Sequence, residues 1–188
     1  AIYLKLYREE KNPDLKFLYM KAAHDYLWPE TVWHYWTERR FREHCAGWRC
    51  ITYAGGAATT KSFDAAKIVL LFWLANPKHR AAIVASTSLE SLQSRIWGYV
   101  TKFIKNMTIP LPFTYVGGQT PKIIPLIEKD KNSNRIKDTQ HGIFALAAKQ
   151  GDDEKVISSI IGRHPDEALM LVLDEATDMP PALLKSFS

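Results

Sequence analysis

The sequence predicts an α/β domain with a mostly parallel central sheet flanked by helices, and three observations lead to this prediction. Strand-like and helix-like segments alternate along the chain, as they do when parallel strands are joined through helices. Residues 168–173, ALMLVL, form the continuous apolar run that a buried parallel strand requires. Hydrophobic residues make up 46% of the 188 residues and charged residues 24%, which is a globular composition and argues against disorder.

The N-terminal part of the chain is predicted to be helical. Residues 14–27 and 30–46 have amphipathic helical patterns. Pro29 separates them, because a proline disfavours helix at the residue before it. We therefore expect two regions: an N-terminal helical segment, residues 1–47, that packs on a core formed by residues 48–188.

The first half of this core is predicted to alternate strand and helix. Residues 48–54 are β-prone, and residues 62–76 form a strongly apolar helix that ends at an Asn-Pro pair. Residues 81–86 have the pattern of a small buried strand, and residues 88–106 that of one amphipathic helix with Ser88 as its N-cap.

The second half of the core is predicted to contain three strands. Residues 108–122 look irregular, whereas residues 122–128 and 142–148 are strand-like and are separated by a polar, exposed loop. The apolar run 168–173 is the last strand. Ligands of such sheets bind at the carboxyl ends of the strands, so we expect function just after Ala54 and just after Leu173.

Several classes of protein are excluded by composition. Two cysteines, Cys45 and Cys50, cannot form a disulfide framework, which favours a reducing compartment. The longest apolar run, Ile68–Ala75, is too short to span a bilayer, and the first residues contain no apolar segment typical of a signal peptide. We expect no membrane association.

Charge is unevenly distributed along the chain, whose net charge is +5. Residues 61–110 contain seven Lys/Arg and two Asp/Glu, whereas residues 149–188 contain four Lys/Arg and eight Asp/Glu. A polyanionic partner is compatible with the basic stretch, but a solvated helix face explains the charge equally simply.

The small residues before the apolar helix resemble a phosphate-binding loop. The sequence GGAATTKS matches the pattern G-x-x-x-x-G-K-S/T at Gly55, Lys61 and Ser62, with Thr60 in place of the second glycine. Small residues let backbone N–H groups surround phosphate oxygens, and the following helix adds its positive N-terminal end. The residues expected to surround the nucleotide are Gly55, Gly56, Ala57, Ala58, Thr59, Thr60, Lys61, Ser62 and Phe63.

The Cβ of Thr60 limits what this loop can do. A threonine lacks the conformational freedom of glycine, so we expect Thr60 to keep an ordinary backbone conformation. The alternative is a strand-to-helix turn without a ligand, which the degenerate pattern alone does not exclude.

The last apolar strand ends in two acids, the Walker B pattern. Asp174 stands where it can hold magnesium, and Glu175 where it can orient or deprotonate an attacking water. Two exposed acids at the end of a buried strand are the alternative. The two motifs on matching strand ends favour a nucleotide-hydrolysing site of the branch with a catalytic glutamate, which consists mostly of motors, helicases and transporters.

The motifs resemble the ATPase domain of the large terminase subunit, the DNA-packaging motor of tailed phages. The resemblance extends from about Trp48 onward and depends on GGAATTKS, on IVASTS and above all on IIGRHPDEALMLVLDEATDMP. It implies a P-loop NTPase fold of the catalytic-glutamate branch, with the cofactors ATP and Mg²⁺.

The resemblance also implies roles for individual residues. Lys61 would bind phosphate, Ser62 and Asp174 would bind magnesium, and Glu175 would be the catalytic base. Arg163 corresponds to an arginine that the family offers to the nucleotide of a neighbouring subunit, where it neutralises charge on the transferred phosphoryl group.

Partners are implied by the resemblance alone. They are double-stranded DNA held by its phosphates, the portal and the small terminase subunit, with a ring of subunits on the portal in the host cytoplasm. For the isolated chain, a monomer with poor ATPase activity is expected. Ala57 stands where many terminases have an arginine, and the chain ends at Ser188, before the family's coupling motif and nuclease domain, so we expect a fragment without nuclease activity.

Two other functions remain open at this level: a helicase-like remodelling ATPase and a non-catalytic binding module. Buried thiols and a histidine at a helix end explain Cys45, Cys50 and His44 better than zinc does, since no second ligand pair is present. Packing is likewise preferred over stacking on adenine for the upstream aromatics, which are Trp28, Trp33, Tyr35 and Trp36. Contact with DNA phosphates and a solvated face are equal alternatives for three basic residues predicted to share a helix: Arg95, Lys102 and Lys105.

Overall fold

The computed structural model describes residues 2–54, 60–110, 113–118, 120–126, 140–148, 158, 160 and 162–181. The chain divides into two compact units. The first consists of Ala1–Asn76 and Gly98–Pro110, and the second of Pro77–Trp97 and Leu111–Ser188. The predicted boundary between residues 47 and 48 remains a prediction.

The elements of the described residues follow each other in a fixed order along the chain. They are α1 (Ile2–Glu9), α2 (Pro13–Leu27), α3 (Tyr35–Cys45), α4 (Lys61–Leu74), β1 (Arg80–Ser86), α5 (Leu89–Ser94), α6 (Ile96–Lys105), β2 (Phe113–Val116), β3 (Lys122–Pro125), β4 (Gly142–Ala147) and β5 (Ala168–Leu173).

The first unit is helical. Helix α2 begins at Pro13 because the side chain of Asn12 accepts hydrogen bonds from the N–H groups of Asp14 and Leu15, at 3.0 and 3.1 Å. Trp28 follows its end and donates its indole N–H to the carbonyl of Phe103 at 2.8 Å. Helix α1 was not predicted from the sequence, and α3 begins five residues later than residue 30, where the prediction starts it.

The second unit contains a five-stranded sheet in the order β2-β3-β4-β1-β5. Strands β4, β1 and β5 are parallel, whereas β3 is antiparallel to both β4 and β2. The domain is therefore α/β as predicted, but its sheet is mixed and the prediction of a mostly parallel sheet is wrong. The reason is the short connection from Val116 to Lys122, since so short a link joins antiparallel strands only.

Two strand predictions also need correction. Residues 113–116 form β2 inside the segment predicted to be irregular. Residues 48–54, predicted as a strand, form none in the structure. A β-prone composition does not make a strand unless a partner supplies the hydrogen-bonded ladder.

One face of the sheet carries the core of the second unit. Its buried members are Ala81, Ile83, Ala85, Ile124, Phe144, Ala148, Ile160 and Met179. Leu171 and Leu173 of β5 pack against them, so alternation along the strand directs Met170 and Val172 to the other face. Helix α5 packs against β1 and β4.

The predicted helix 88–106 is divided in two. Ser88 caps α5 as expected, because its hydroxyl accepts a hydrogen bond from the N–H of Ser91 at 3.0 Å. The helix then breaks at Arg95, whose φ is −115° and ψ −108°, and resumes as α6 at Ile96. Each helix of the described residues is too short or too polar to cross a bilayer.

Candidate functional site

The start of α4 carries the first group of predicted site residues. Lys61 and Ser62 are the first two helical residues, and both are half-buried. Thr60 precedes them with φ 59° and ψ 12°, so the expectation that it keeps an ordinary conformation is wrong. A left-handed conformation is unfavourable for a β-branched residue and is the one that glycine, the usual residue at this place, adopts readily.

A buried polar network holds Thr60 in this conformation. Its hydroxyl accepts a hydrogen bond from Arg40 and donates one to Asp64, each at 3.1 Å. Arg40 and Asp64 form an ion pair and are 6% and 0% exposed. Thr37 donates to the second oxygen of Asp64 at 3.0 Å. These contacts compensate the buried charges and fix the entry into α4.

The sequence prediction did not find this network. Asp64 is the one member of the network that the sequence pattern could have indicated, because it is an acid in the first turn of α4 and acids are favoured near helix N-termini. Arg40 lies on α3, 24 residues away in sequence, and nothing in the local pattern connects the two. Gly55, Gly56, Ala57, Ala58 and Thr59 lie outside the described residues.

Phe63 has a packing role within the first unit. Its ring lies edge-on against Tyr99 and Phe103, with centroid distances of 5.4 and 4.9 Å. A role of Phe63 beside a nucleotide remains a prediction.

The carboxyl ends of three parallel strands carry the second group of site residues. The N–H of Asp174 donates to the carbonyl of Ala85 at 2.9 Å, which continues the β1–β5 ladder by one residue. On the other side, the N–H of Ala148 donates to the carbonyl of Ser86 at 2.8 Å. The ends of β4, β1 and β5 are thus level with one another, and Asp174 stands beside Ser86.

Ser86 is a residue that the sequence prediction missed. It is fully buried, and its hydroxyl has no hydrogen-bond partner among the described residues. Strand alternation gives it the same face of the sheet as Asp174, opposite Ala85 and Leu173. A buried hydroxyl next to an acid is a candidate polar group of the site, since such groups rarely stay unsatisfied.

Glu175 turns away from the strand. Its φ of 59° and ψ of 48° are left-handed, and its carboxylate forms an ion pair with Arg95. The side chain of Glu175 is 27% exposed and that of Arg95 48%. Arg95 therefore lies beside a predicted catalytic residue, whereas the sequence left contact with DNA phosphates and a solvated face as equal alternatives for it.

Arg163 packs on the core face of the same sheet. Its guanidinium lies 3.5 Å above the centre of the Phe144 ring, and burial lowers its pKa. It borders a cavity of about 110 Å³ that is also lined by Ile83 and Lys122. By alternation this face is opposite that of Asp174. The predicted action of Arg163 on a neighbouring subunit's nucleotide remains a prediction.

The predicted site residues thus fall into two groups. Lys61 and Ser62 belong to the first unit, and Asp174 and Glu175 to the second. The structure brings together the members of each group. The meeting of both groups at one nucleotide remains a prediction.

The cysteines and the histidine that were weighed as zinc ligands lie in different environments. Cys45 is buried near the sulfur of Met20, and burial raises its pKa to about 12, whereas Cys50 is exposed, contrary to the expectation of two buried thiols. His44 is hydrogen-bonded to the hydroxyl of Tyr7 at 2.7 Å. In the part of the chain that the structure describes, no three His, Cys, Asp or Glu residues are grouped to hold a metal ion.

The aromatic residues upstream of α4 divide into two kinds. Trp28 is buried, and Trp33 packs edge-on against Phe41 at 4.8 Å, as the packing prediction requires. Tyr35 and Trp36 are instead 70% and 52% exposed, so the packing prediction is wrong for these two.

Comparisons of the chain with protein-family models, with curated proteins and with solved structures found no match.

Proposed function

We propose that this chain is the ATPase domain of a viral large terminase, a magnesium-dependent ATP hydrolase that drives double-stranded DNA into a prohead. The observation that supports it best is the left-handed conformation of Thr60 directly before Lys61 and Ser62. Thr60 stands where the pattern has its second glycine, and its backbone adopts a conformation that glycine favours. Although the sequence pattern is degenerate, the chain therefore still turns here into the N-terminus of a helix.

The residues at the start of α4 would bind the phosphates. Lys61 is a point charge at the positive end of a 14-residue helix, where anions are stabilised. The network of Arg40, Thr60 and Asp64 would keep this end rigid, since all three side chains are held by one another.

The donor set fits magnesium. Mg²⁺ takes oxygen ligands, and at nucleotide sites one or two protein groups suffice because phosphates and waters complete the shell. Ser62 and Asp174 would be those groups. When bound, the ion would offset negative charge on the phosphates.

Glu175 would act on water as the general base. It directly follows Asp174, and its turned backbone directs its carboxylate to the side of Arg95. A carboxylate at the rim of the site can orient a water molecule and accept its proton as the water attacks the terminal phosphate.

The partners follow from the same proposal. The domain would act on DNA phosphates without sequence preference, in a ring of subunits on the portal, with the small subunit, in the host cytoplasm. Arg163 would serve a neighbouring subunit in that ring, so the isolated chain would hydrolyse ATP slowly.

The test is ATP hydrolysis by the parent chain and by Lys61→Ala, with Lys78→Ala as the control. Lys78 is an exposed lysine in the turn before β1, so its loss removes the same charge elsewhere. We expect turnover to vanish in Lys61→Ala and to persist in the control. Equal turnover in all three proteins would reject the assignment of the site.

A titration with a fluorescent ATP analogue and magnesium separates this proposal from a binding module without a nucleotide site. Saturable binding is expected for the parent chain, and none for such a module. Unwinding of a forked duplex in the absence of a prohead would instead assign a helicase.

A further inference from the structure

We propose that Arg95 is a positioning residue, which holds the carboxylate of Glu175 in the orientation that its task requires. This role rests on the proposed function of Glu175. The contact itself is between Nη1 of Arg95 and Oε1 of Glu175, and it joins residues 80 positions apart.

The backbone at Arg95 indicates that this contact is more than a surface ion pair. The helix that begins at Leu89 stops at Arg95 and resumes at Ile96, although position 95 holds neither proline nor glycine. Arginine is a good helix former, so an uninterrupted helix would be expected here. The break falls on the residue that forms the ion pair with Glu175.

The backbone at Glu175 gives the second indication. Its left-handed conformation is unfavourable for a residue with a Cβ, and it lies two residues after the end of a regular strand. Such strain persists only where the surrounding structure determines it, and it is concentrated at functional sites. Arg95 and Glu175 therefore both lie just after the end of a regular element, α5 in one case and β5 in the other.

Both partners are also anchored to the same sheet. Helix α5 packs against β1 and β4, and its Leu92 is fully buried. Asp174 is tied to Ala85 by a main-chain hydrogen bond, which fixes the start of the turn that carries Glu175. The segments that carry the guanidinium and the carboxylate are thus both attached to this sheet.

Ion pairs at the surface of this protein are of two kinds: some lie within one helix, and others, such as Arg42–Asp14 between α3 and α2, join two elements. Arg39–Glu43 and Arg42–Glu38 each join residues four positions apart on α3, which is the common helical arrangement. The Arg95–Glu175 pair joins two elements.

The chemical consequence concerns the two carboxylate oxygens. A guanidinium is always charged and only donates hydrogen bonds, so Oε1 is held as an acceptor. Oε2 is then directed by the same contact and can accept a hydrogen bond from water. Arg95 would therefore limit the carboxylate to the orientation in which a water molecule is bound on one defined side.

Steady-state kinetics test the role. We expect Arg95→Gln to lower kcat about tenfold or more while KM for ATP stays within about twofold, because orientation of the base matters for the chemical step and not for binding. Arg95→Lys should recover much of kcat, since it retains the charge. Arg39→Gln, which removes an exposed arginine paired with a glutamate on α3, should leave both constants unchanged.

A crosslinking experiment tests the contact without any catalysis. A carbodiimide activates a carboxylate, and a neighbouring amine displaces the urea to form an amide bond with net loss of one water. In Arg95→Lys the lysine introduced at position 95 should form this bond with Glu175, which peptide mass spectrometry detects. Arg39→Lys, expected to crosslink to Glu43, is the positive control.

The outcomes separate the two proposals. If the parent chain neither hydrolyses ATP nor binds its analogue, the proposed function fails and the role of Arg95 fails with it. If the parent is active and Arg95→Gln, with an unchanged melting temperature, is equally active, only the role of Arg95 is rejected. A folded Arg95→Lys protein without the crosslink, beside a crosslinked control, would also reject it.

Discussion

Thr60 and Glu175 are the residues other than glycine that have a positive φ in the described part of the chain. Each stands at a predicted site, one before Lys61 and the other after Asp174. Side chains with a Cβ adopt this conformation at a cost of about 1–3 kcal/mol when the surroundings impose it. At the scale of single residues, therefore, strain and candidate function coincide.

Replacement of Thr60 measures this strain. Both Thr60→Gly and Thr60→Ala remove the hydroxyl that contacts Arg40 and Asp64, but only glycine relieves the backbone. We expect Thr60→Gly to have a free energy of unfolding higher than that of Thr60→Ala by about 1 kcal/mol. Urea denaturation of the two variants gives the difference directly, and equal stabilities would show that the conformation is not strained.

Lys67 is a second residue with an unusual environment. It is fully buried in α4, and its ammonium lies 4.5 Å from the ring centre of Phe63 and 5.5 Å from that of Phe103. The nitrogen has no hydrogen-bond partner among the described residues. Burial lowers its pKa to about 8, with opposing contributions from Asp64 and Asp25, so the loss of hydration outweighs the attraction of ring faces and acids.

This lysine should make stability depend on pH. Its pKa is lower in the folded than in the unfolded chain, so the unfolded chain binds more protons between about pH 8 and pH 10.5 and stability rises with pH over that range. We expect Lys67→Met to be more stable than the parent by about 1–3 kcal/mol at pH 7, with a much smaller gain near pH 10.5.

Urea denaturation at both pH values tests this, with Lys11→Met, at an exposed lysine, as the control. The control should change stability by less than about 0.5 kcal/mol at either pH. A destabilised Lys67→Met protein at pH 7 would contradict the prediction.

At the scale of elements, the antiparallel junction of β3 and β4 depends on a glycine. Gly142 begins β4 with φ 140°, and a Cβ there would clash with the carbonyl oxygen of Ile123 and lie 3.1 Å from the side chain of Ile124. The close approach lets β3 pair with β4, and this pairing makes the sheet mixed. A side chain at this position would separate the two strands.

Gly142→Ala should therefore be strongly destabilising. Gly118, in the β2–β3 connection, also has a positive φ, of 107°, but nothing lies within 4 Å of a Cβ placed there. Gly118→Ala thus measures the backbone cost alone. We expect Gly142→Ala to lose at least about 1 kcal/mol more than Gly118→Ala in thermal or urea unfolding. Equal losses would mean that the strands adjust without cost.

At the scale of the whole molecule, the net charge of +5 is relevant to the proposed DNA partner. Lys102 and Lys105 are exposed on the last turns of α6, while Arg95 is engaged by Glu175. Of the basic residues that the sequence placed on one helix, only these two lysines remain candidates for DNA phosphates.

Binding to duplex DNA should weaken with salt and be insensitive to sequence. We expect the double variant Lys102→Gln/Lys105→Gln to reduce the slope of log affinity against log salt by about two, because each lost phosphate contact lowers it by about one. Lys5→Gln/Lys11→Gln removes the same charge from exposed positions in and after α1 and is the control. Equal slopes for both variants would assign the effect to net charge rather than to α6.

Local patterns predicted most elements, and the failures have physical causes. β5 was predicted with its observed ends from six consecutive apolar residues, but the prediction that it is buried is wrong, because β5 stands last in the strand order of the described sheet and is half-buried. Residues 48–54 have β-prone side chains but no partner strand among the described residues, and the predicted helix 88–106 breaks where Arg95 contacts a residue 80 positions away. The hydrophobic periodicity of the sequence predicts neither the missing partner strand nor the helix break, because both depend on residues far away in sequence.

The sequence by itself determined the α/β class, the apolar strand that is followed by Asp174 and Glu175, and the apolar helix, predicted at residues 62–76 and found at Lys61–Leu74, because each follows from the order of neighbouring side chains. Only the tertiary structure decided the mixed sheet, the left-handed backbone of Thr60 and the contact of Arg95 with Glu175. These features depend on groups far apart in sequence, whose mutual distances are fixed only when the chain has packed.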